Sequence, residues 1–354
     1  MQNLIIFIYI YFLKEIYSYH LPNNWNLISI KMKKIARNWF IDRAEKTGIP
    51  WTKMTDHYKD SEVFNKLIKY KNDITDEKII YPNYYLKPFH SYENGNLNWK
   101  AAQENSAATL NIAAGYWESS DVYDAHEWMR KNTTNVIEEY IKKYKCNKPL
   151  KILDIGCSIG VSSEVLKNVF PNAIVNAIDL SPYFLSVAKY RSEKKELDIN
   201  YFHMNAENIN FIDNDYDLIV SSYLFHELPK IPTINIFKQV YKKLKGNGVF
   251  VIVDINTESI KNNALLSNFR KWAFEITEPH ISSYYETNIN DLLKDNSFIN
   301  IESKMNDPIN RIWICNKDYY DYDDYDKKKL IESSIVYINN NIYIDDYGIS
   351  KGFQ

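Results

Sequence analysis

Short hydrophobic runs alternate with longer mixed segments through the middle of the chain, and this pattern predicts strands and helices in turn. Lys151–Asp154 and Asn172–Asp179 have the length and apolar content of strands that are buried on both faces. Val161–Phe170, which lies between them, is predicted to be a helix. The same reasoning predicts strands at Ile199–Met204, Tyr216–Ser222, Val249–Ile255, Ile299–Lys304 and Arg311–Asn316, and a helix at Ile231–Lys245 that stops at Gly246-Asn247-Gly248.

The turn after the first strand carries the clearest chemical signal. The sequence KILDIGCSIG places Asp154 at the end of the strand and Gly156, Ser158 and Gly160 at every second position that follows. Small residues at such a turn let the backbone approach a ligand closely. If Gly156 contacts a ligand, Gly156→Ala should abolish binding while the melting temperature falls little, unless its φ angle is positive. An ordinary tight turn between a strand and a helix is the alternative.

A second acidic residue narrows the choice of ligand. Asp179 ends the second strand, where a carboxylate can accept hydrogen bonds from both hydroxyls of an adenosine ribose. A dinucleotide site requires G-x-G-x-x-G, but Val161 stands where the last glycine is needed, and Asp154 is poorly placed for a diphosphate. S-adenosylmethionine (SAM) carries an ammonium and a sulfonium and no phosphate, so an acidic strand end suits it. SAM is therefore the predicted cofactor.

At these residues the chain resembles the class I SAM-dependent methyltransferases. Their first motif is an acidic residue followed by G-x-G-x-G, and this chain reads D-I-G-C-S-I-G, with Ser158 in place of the middle glycine. The phrases YYLKPFHSYENGNLNW and IDLSPYFLSVAK further resemble a plastid and cyanobacterial group of type-11-like methyltransferases. The resemblance covers most of Tyr81–Lys317 and fails at both ends. It implies an α/β, Rossmann-like sheet of seven strands in the order 3-2-1-4-5-7-6, with an N-terminal helical cap.

The resemblance also implies a set of cofactor-binding residues. In the wider family an acidic residue followed by Ala-Glu accepts a hydrogen bond from the adenine amino group. Here Asn205 takes that place, and its amide oxygen can accept the same bond. The predicted cofactor-binding residues are Asp154, Gly156, Cys157, Ser158, Gly160, Asp179, Leu180, Asn205, Ala206, Glu207 and Ser221.

Two ionisable residues just after the fourth strand are candidates for catalysis. His226 and Glu227 lie where this fold places groups that face the substrate, and either could remove a proton from a methyl acceptor. Histidine is the better matched of the two to neutral pH. Alternatively, both residues only cap the next helix and line the methionine end of the cofactor. The phrase Thr277-Glu278-Pro279-His280 is also predicted to lie on the substrate side, because a similar phrase occurs in the related group.

Helices are predicted before the first strand as well. Trp99–Ala114 is rich in alanine and lacks proline and glycine, and Ala125–Tyr144 presents Trp128, Val136, Ile137 and Tyr140 as an apolar face. Aromatic residues of this cap, including Tyr92, Trp99 and Tyr116, are interpreted as core residues. In the second βα unit, Ser181 is the predicted N-cap of a helix that has Pro182 at its first position.

The two ends of the chain have unusual compositions. Leu4–Leu13 is a continuous apolar run, too short to span a bilayer comfortably but of the length of a signal-peptide hydrophobic region, with a buried helix as the alternative. Lys31–Arg37 is basic and resembles a transit peptide or a solvated helix face. A plastid or secretory route is therefore an expectation, with a cytoplasmic location as the alternative. The predicted divisions are a hydrophobic segment 1–22, a linker or transit-like region 23–80, a helical cap 81–145, a SAM-binding domain 146–318 and a low-complexity tail 319–354.

Composition excludes some classes of function. A net charge of −2 and a pI near 6.4 give no electrostatic reason to expect a nucleic-acid partner. Three scattered cysteines and the spacing of the histidines predict neither a disulfide framework nor a metal site. Three functions remain: a SAM-dependent methyltransferase of a small-molecule acceptor, a non-catalytic SAM-binding or assembly protein, and an NAD-dependent oxidoreductase.

Overall fold

A computed structural model describes residues 25–90, 92–115, 121–262 and 278–319, together with a short antiparallel pair formed by Tyr343–Ile344 and Ser350–Lys351. The hydrophobic run Leu4–Leu13 and most of the tail 319–354 lie outside the described residues. Tyr116 and Thr277, which the sequence analysis mentions, lie outside them too.

The centre of the fold is a seven-stranded sheet in the order β3-β2-β1-β4-β5-β7-β6, which confirms the predicted order. The first five strands pair in parallel, and β7 runs antiparallel to both β5 and β6. The strands are β1 Lys151–Ile155, β2 Ile174–Asp179, β3 Ile199–His203, β4 Tyr216–Ser222, β5 Leu244–Ile255, β6 Ile299–Met305 and β7 Asn310–Asn316.

Helices cover both faces of the sheet. They are α1 Trp25–Lys46, α2 Trp51–His57, α3 Ser61–Ile74, α4 Trp99–Ala114, α5 Val122–Tyr144, α6 Val161–Val169, α7 Pro182–Lys194, α8 Lys230–Lys243, α9 Thr257–Asn262, α10 Ile281–Tyr285 and α11 Ile289–Asp295. Alternate residues of β5 join opposite cores: Phe250 packs with Phe237 of α8, whereas Val251 packs with Ile137 of α5. Because side chains alternate between faces and both faces are covered, the strands read as continuous apolar runs.

The region 23–80 differs from the linker or transit-like segment that the sequence analysis expected. It forms α1, α2 and α3, and Leu67 of α3 is fully buried against Phe184 and Val187 of α7. Asp60 starts α3 by accepting hydrogen bonds from the backbone N–H groups of residues 62 and 63. α3 therefore supplies part of a core and packs as part of the folded body.

The two predicted cap helices are present, with one error in the assigned face. Trp99–Ala114 forms α4 as predicted, and α5 begins three residues before Ala125 because Asp121 caps it. Ile137 is fully buried, but Trp128 is 50% exposed. Nine residues separate the two, which places them on opposite sides of a helix with about 3.6 residues per turn.

Two further details matter for the sheet. Gly246-Asn247-Gly248 lies inside β5 rather than forming a separate stop after α8, and the register between β4 and β5 shifts between Tyr216 and Leu218. Ser181 caps α7 by accepting from the Phe184 N–H at 3.2 Å, and Pro182 occupies the first helical position, as predicted. Among the described helices, none has the length and apolar character needed to cross a membrane.

Candidate active site

A cavity of about 490 Å³ lies over the carboxyl ends of the parallel strands. Its floor is formed by the turn after β1, by Asp179 at the end of β2, and by residues that follow β3 and β4. Its roof comes from α1, α4, α5 and the segment 84–96. Ligands of open α/β sheets bind at this edge, so the cavity is the candidate active site.

The turn after β1 has a backbone that glycine makes possible. Gly156 has a φ of +67° and Ser158 a φ of +50°, both in the left-handed region. A Cβ atom added to Gly156 would lie 3.0 Å from Cδ1 of Leu224, so the backbone passes close to the opposite wall. The Ser158 hydroxyl lines the cavity and is buried with no hydrogen-bond partner among the described residues. This turn therefore brings a closely packed backbone and an unpaired hydroxyl to the cavity.

Asp179 ties this turn to the end of β2. One carboxylate oxygen accepts a hydrogen bond from the Ser158 N–H and the other from the Ser181 N–H, each at 2.8 Å. Burial raises the pKa of Asp179 to about 6, although these backbone donors oppose the change. The carboxylate is therefore mainly ionised at neutral pH. It lines the cavity and retains lone pairs for a ligand's hydroxyl groups.

The next part of the floor follows β3. Leu180, Asn205 and Ala206 line the cavity, as predicted for cofactor-binding residues. The Asn205 side-chain oxygen accepts a hydrogen bond from the Glu207 N–H at 2.9 Å, which fixes the loop. Glu207 itself does not line the cavity: its carboxylate accepts from the Tyr84 hydroxyl at 2.6 Å and from Asn235 at 2.9 Å. We therefore interpret Glu207 as a residue that anchors the roof.

Three other predicted cofactor residues also lie outside the cavity lining. Asp154 is fully buried and accepts hydrogen bonds from the hydroxyls of Ser162 and Ser163, each at 2.5 Å, so its carboxylate faces the start of α6. Gly160 is the N-cap of α6, with a φ of +80°. Ser221 is fully buried because strand side chains alternate, and its neighbour Ser222 lines the cavity instead.

Cys157, which was predicted to bind the cofactor, lines the cavity, but its thiol is a weak nucleophile. The residue is 3% exposed, and burial raises the pKa of its thiol well above the ordinary value. A protonated thiol is a poor nucleophile. Cys157 therefore contributes packing to the site rather than covalent catalysis.

At the other end of the cavity, His226 is held by a buried aspartate. His226 Nδ1 lies 2.7 Å from Oδ1 of Asp254, whose other oxygen accepts from the backbone N–H groups of Phe225 and His226 at 2.8 and 3.3 Å. Burial lowers the pKa of His226, but the charge of Asp254 and its hydrogen bond outweigh that effect and raise the pKa to about 9. The imidazole is thus held as a cation at neutral pH.

Glu227 belongs to the same end of the cavity and contacts a histidine from the roof. His90 Nε2 lies 3.1 Å from Glu278 Oε1 and 3.5 Å from Glu227 Oε1. Burial raises the pKa of Glu227 to about 7, although the two histidines oppose the change. His90 has a φ of +47°, which is rare for a residue other than glycine and marks a constrained position. We call His90, His226, Glu227, Asp254 and Glu278 the acceptor-end cluster.

Sequence reasoning identified only part of this cluster. Asp254 was not singled out, although an acidic residue at the end of an apolar strand was a usable signal in this fold. Glu278 was expected on the substrate side without a role, and His90 was not singled out, although it lies within the phrase YYLKPFHSYENGNLNW that carries the resemblance. The described residues contain no group of three or more His, Cys, Asp or Glu arranged to hold a metal ion.

Arg130 of α5 is a further residue that the sequence did not reveal. It lines the cavity beside Ser162 and Tyr223, with its guanidinium 5.6 Å from the centre of the Tyr223 ring. Its Nε is buried and has no hydrogen-bond partner in the described parts of the chain. A guanidinium with an unused donor can bind a ligand carboxylate.

Comparison with known families agrees with this arrangement. Residues 152–248 match a family model described as a methyltransferase domain. The chain contains a class I SAM-dependent methyltransferase domain. The match spans β1 to the first part of β5, and so it includes the turn after β1, Asp179, Asn205 and the pair His226-Glu227.

Curated relatives of this methyltransferase domain carry different names. A malonyl-[acyl-carrier protein] O-methyltransferase from Bacillus cytotoxicus is 30% identical over 122 residues, which are 34% of this chain and 41% of the relative. A release factor glutamine methyltransferase from Flavobacterium psychrophilum is 35% identical over 96 residues, 26% of this chain and 34% of the relative. The alignments thus span less than half of either relative. Among solved structures, a SAM-dependent methyltransferase from Aquifex aeolicus is 18% identical with a TM-score of 0.39, covering 51% of this chain and 88% of that chain.

SAM is the cofactor of this family, and the site has groups that fit it. Gly156 and Ser158 line the cavity, the Ser158 hydroxyl has no partner among the described residues, and Asp179 can accept from two ribose hydroxyls. Arg130 offers an unpaired donor for the cofactor's carboxylate. Val161, as the first residue of α6, replaces the last glycine of the dinucleotide fingerprint.

Proposed function

We propose that this protein transfers the methyl group of SAM to a small-molecule acceptor bound beside the acceptor-end cluster. The observation that carries the proposal is that one cavity is lined both by Gly156, Ser158 and Asp179 and by His226 and Glu227. The cofactor residues and the titratable residues therefore share one enclosed space. The curated relatives match this chain over less than half of their own length, so their names do not identify its methyl acceptor.

The protein's contribution would be to bind, orient and exclude water. When bound, SAM supplies an electrophilic methyl carbon on a sulfonium. Asp179 and the turn after β1 would fix the ribose and the methionine end, and Arg130 would bind the carboxylate. The roof helices α1, α4 and α5 would limit the access of water, so that most of the rate comes from the alignment of the two reactants.

A non-catalytic SAM-binding protein is the alternative that deserves a direct test. Against it stands the acceptor-end cluster, in which five ionisable side chains are largely withdrawn from water. Such clusters are costly to bury, and strongly shifted pKa values concentrate at functional sites. A protein that only bound SAM would not require them.

Two measurements test the proposal. Calorimetric titration should show binding of SAM and S-adenosylhomocysteine and no binding of NAD. Incubation with methyl-tritiated SAM and a metabolite extract of the source cells should then yield a labelled small molecule. Binding without any transfer would favour the non-catalytic alternative, and tight binding of NAD would exclude the proposal.

We also propose that the N-terminal region directs the protein into a plastid or the secretory route. The support is the apolar run Leu4–Leu13, which has the length of a signal-peptide hydrophobic region, and the basic stretch Lys31–Arg37, which resembles a transit peptide. A reporter fused to residues 1–80 should enter one of these compartments, and a reporter that stays in the cytosol would exclude both routes.

A further inference from the structure

The acceptor-end cluster has more carboxylates than its two histidines can neutralise. Glu227 and Glu278 both line the cavity, and Asp254 lies directly behind His226. Glu278 is 3% exposed, and its Oε1 faces His90 at 3.1 Å. Its other oxygen, Oε2, is buried with no hydrogen-bond partner among the described residues. A buried carboxylate oxygen without a donor is unfavourable, so a donor from a ligand would stabilise it.

Tyr85 adds a second unpaired group to the cavity lining. Its hydroxyl is buried and has no hydrogen-bond partner in the described parts of the chain. Burial, followed by the charges of Asp179 and Glu227, raises the pKa of this phenol well above its ordinary value, so the hydroxyl stays protonated. Tyr85 therefore contributes a neutral hydroxyl, rather than a charge, to the binding of a ligand.

These groups restrict the chemical class of the acceptor. An acceptor with a hydroxyl or amine can donate to Glu227 or Glu278, whereas a carboxylate acceptor would bring another anion against the buried Glu278 and the half-buried Glu227, at a cost. We propose that the acceptor presents a neutral hydroxyl or amine to this cluster, and that Glu227 receives its proton. The inference rests on the proposed function and adds the class of substrate and the identity of the base.

The proposed step involves only SAM, the acceptor and Glu227. The acceptor's oxygen or nitrogen forms a bond to the methyl carbon while the carbon–sulfur bond breaks and its electron pair returns to sulfur. The acceptor's proton passes to the Glu227 carboxylate. Glu227, whose side chain is 20% exposed, then releases that proton to solvent.

Glu227 is better suited to this role than His226, which reverses the preference that the sequence gave to histidine. His226 Nδ1 is committed to Asp254, and the surrounding carboxylates keep the ring a cation, which has no basic nitrogen. Glu227 has a pKa of about 7 and so exchanges a proton readily near neutral pH. His226 would instead orient Glu227 and the acceptor through its charge.

The first test uses matched probes and does not depend on turnover. Dissociation constants of phenol, aniline and benzoate would be measured by NMR titration in the S-adenosylhomocysteine complex at pH 7, where phenol and aniline are neutral. We expect phenol or aniline to bind at least about tenfold more tightly than benzoate, and Glu278→Gln to remove most of that preference. Glu258→Gln, which changes an exposed carboxylate, is the control and should leave the preference unchanged. Benzoate that binds as tightly as both other probes, or no detectable binding of phenol or aniline, would overturn the inference.

The second test identifies the product and the base. Methyl groups transferred from labelled SAM to an extract should stay bound in mild alkali, as ethers and methylamines do, whereas release of labelled methanol would reveal an ester and overturn the inference.

Glu227→Gln should lower kcat by about a hundredfold or more and remove the rise of rate with pH near 7, with unchanged affinity for S-adenosylhomocysteine as the check on folding. Unchanged kcat would exclude Glu227 as the base. If no extract yields a labelled product, the proposed function fails. The probe titration, which needs no turnover, would still show which chemical class the cavity binds.

Discussion

The two ends of the cavity are assembled in different ways. At the cofactor end, Gly156, Asp179 and Asn205 follow three successive strands, β1, β2 and β3, within one short stretch of the chain. At the acceptor end, His90 comes from the roof, Glu227 from the turn after β4, and Glu278 from a segment near the C-terminal part of the domain. Local sequence therefore specifies the first end, and only the folded chain creates the second.

This difference limits what sequence similarity to a known family can reveal about the acceptor end. The family match over residues 152–248 includes Gly156, Asp179 and Asn205 of the cofactor end, but it leaves out His90, Asp254 and Glu278. A chain can thus share the cofactor chemistry of its relatives while it differs in the groups that face the acceptor. Substitutions at the cofactor end should consequently weaken cofactor binding, whereas substitutions at the acceptor end should change stability or methyl transfer.

The largest effect should come from Asp254→Asn. This change leaves His226 facing a neutral partner in a fully buried position, and loss of one member of a buried ion pair commonly costs about 3 kcal/mol or more. We expect the free energy of unfolding, measured with guanidinium chloride, to fall by about 3 kcal/mol. The affinity for S-adenosylhomocysteine should change little, because Asp254 lies at the other end. A stable variant that had lost cofactor binding would contradict this separation, and Glu258→Gln, at an exposed carboxylate, is the control.

Asp179→Ala should produce the opposite pattern. Two ribose hydroxyls would lose a charged acceptor in a largely buried site, which should weaken SAM by about 1–3 kcal/mol, or roughly 5- to 150-fold. S-adenosylhomocysteine shares the ribose and should weaken equally in calorimetry. The matched control is Glu207→Gln, whose carboxylate lies outside the cavity and should not alter affinity. Equal losses in both variants would mean that the cofactor lies deeper under the roof than the lining residues indicate.

The sequence predicted the fold well because its information was local and repeated. Five parallel strands with continuous apolar runs, the N-cap Ser181 and the turn after β1 are each determined by neighbouring residues, and the structure contains them all. The strand order, in contrast, came from the resemblance. Periodicity could not supply it, because no strand sequence specifies its neighbour.

Four predicted cofactor residues, Asp154, Gly160, Glu207 and Ser221, do not line the cavity, and the reason is physical. They lie next to the lining residues in sequence, whereas the side chains of Asp154 and Glu207 and an added Cβ at Gly160 face neighbouring elements. A motif specifies which residues belong to a turn but does not decide which of them face the cavity. The acceptor-end cluster depends on contacts between distant segments, which a single sequence does not display.

Substitutions at Gly156 and Gly160 distinguish a residue that only the turn requires from one that contacts the ligand. Both glycines have positive φ. Gly156→Ala should therefore lower the free energy of unfolding by about 1 kcal/mol, which is more than the sequence analysis expected. At Gly160 an added Cβ would also lie 2.6 Å from the Tyr201 hydroxyl and 3.0 Å from Ala188 Cβ, which should cost about 1–3 kcal/mol. In thermal-shift assays Gly156→Ala should lose the response to SAM, whereas Gly160→Ala should melt lower and keep it. Retention of the full response by Gly156→Ala would remove that residue from the cofactor site.

The last effect concerns the pH dependence of stability at the acceptor end. Burial raises the pKa of Glu227 from 4.5 to about 7 in the folded state, against the opposing charges of His90 and His226 and with the help of Glu278 and Asp179. The folded protein therefore binds this proton more tightly than the unfolded chain does. The resulting stabilisation is complete below pH 4.5 and is lost as the pH rises to about 7. Glu227→Gln has no such proton to lose, so the stability of the variant relative to the native protein should increase between pH 4.5 and 8, by up to about 3 kcal/mol. Denaturant titrations at four pH values would measure this difference, with Glu258→Gln as the exposed control that should show a flat profile. A difference that stayed constant or decreased with pH would mean that Glu227 is ionised at no cost in the folded protein, and that it is not the residue poised to take the acceptor's proton.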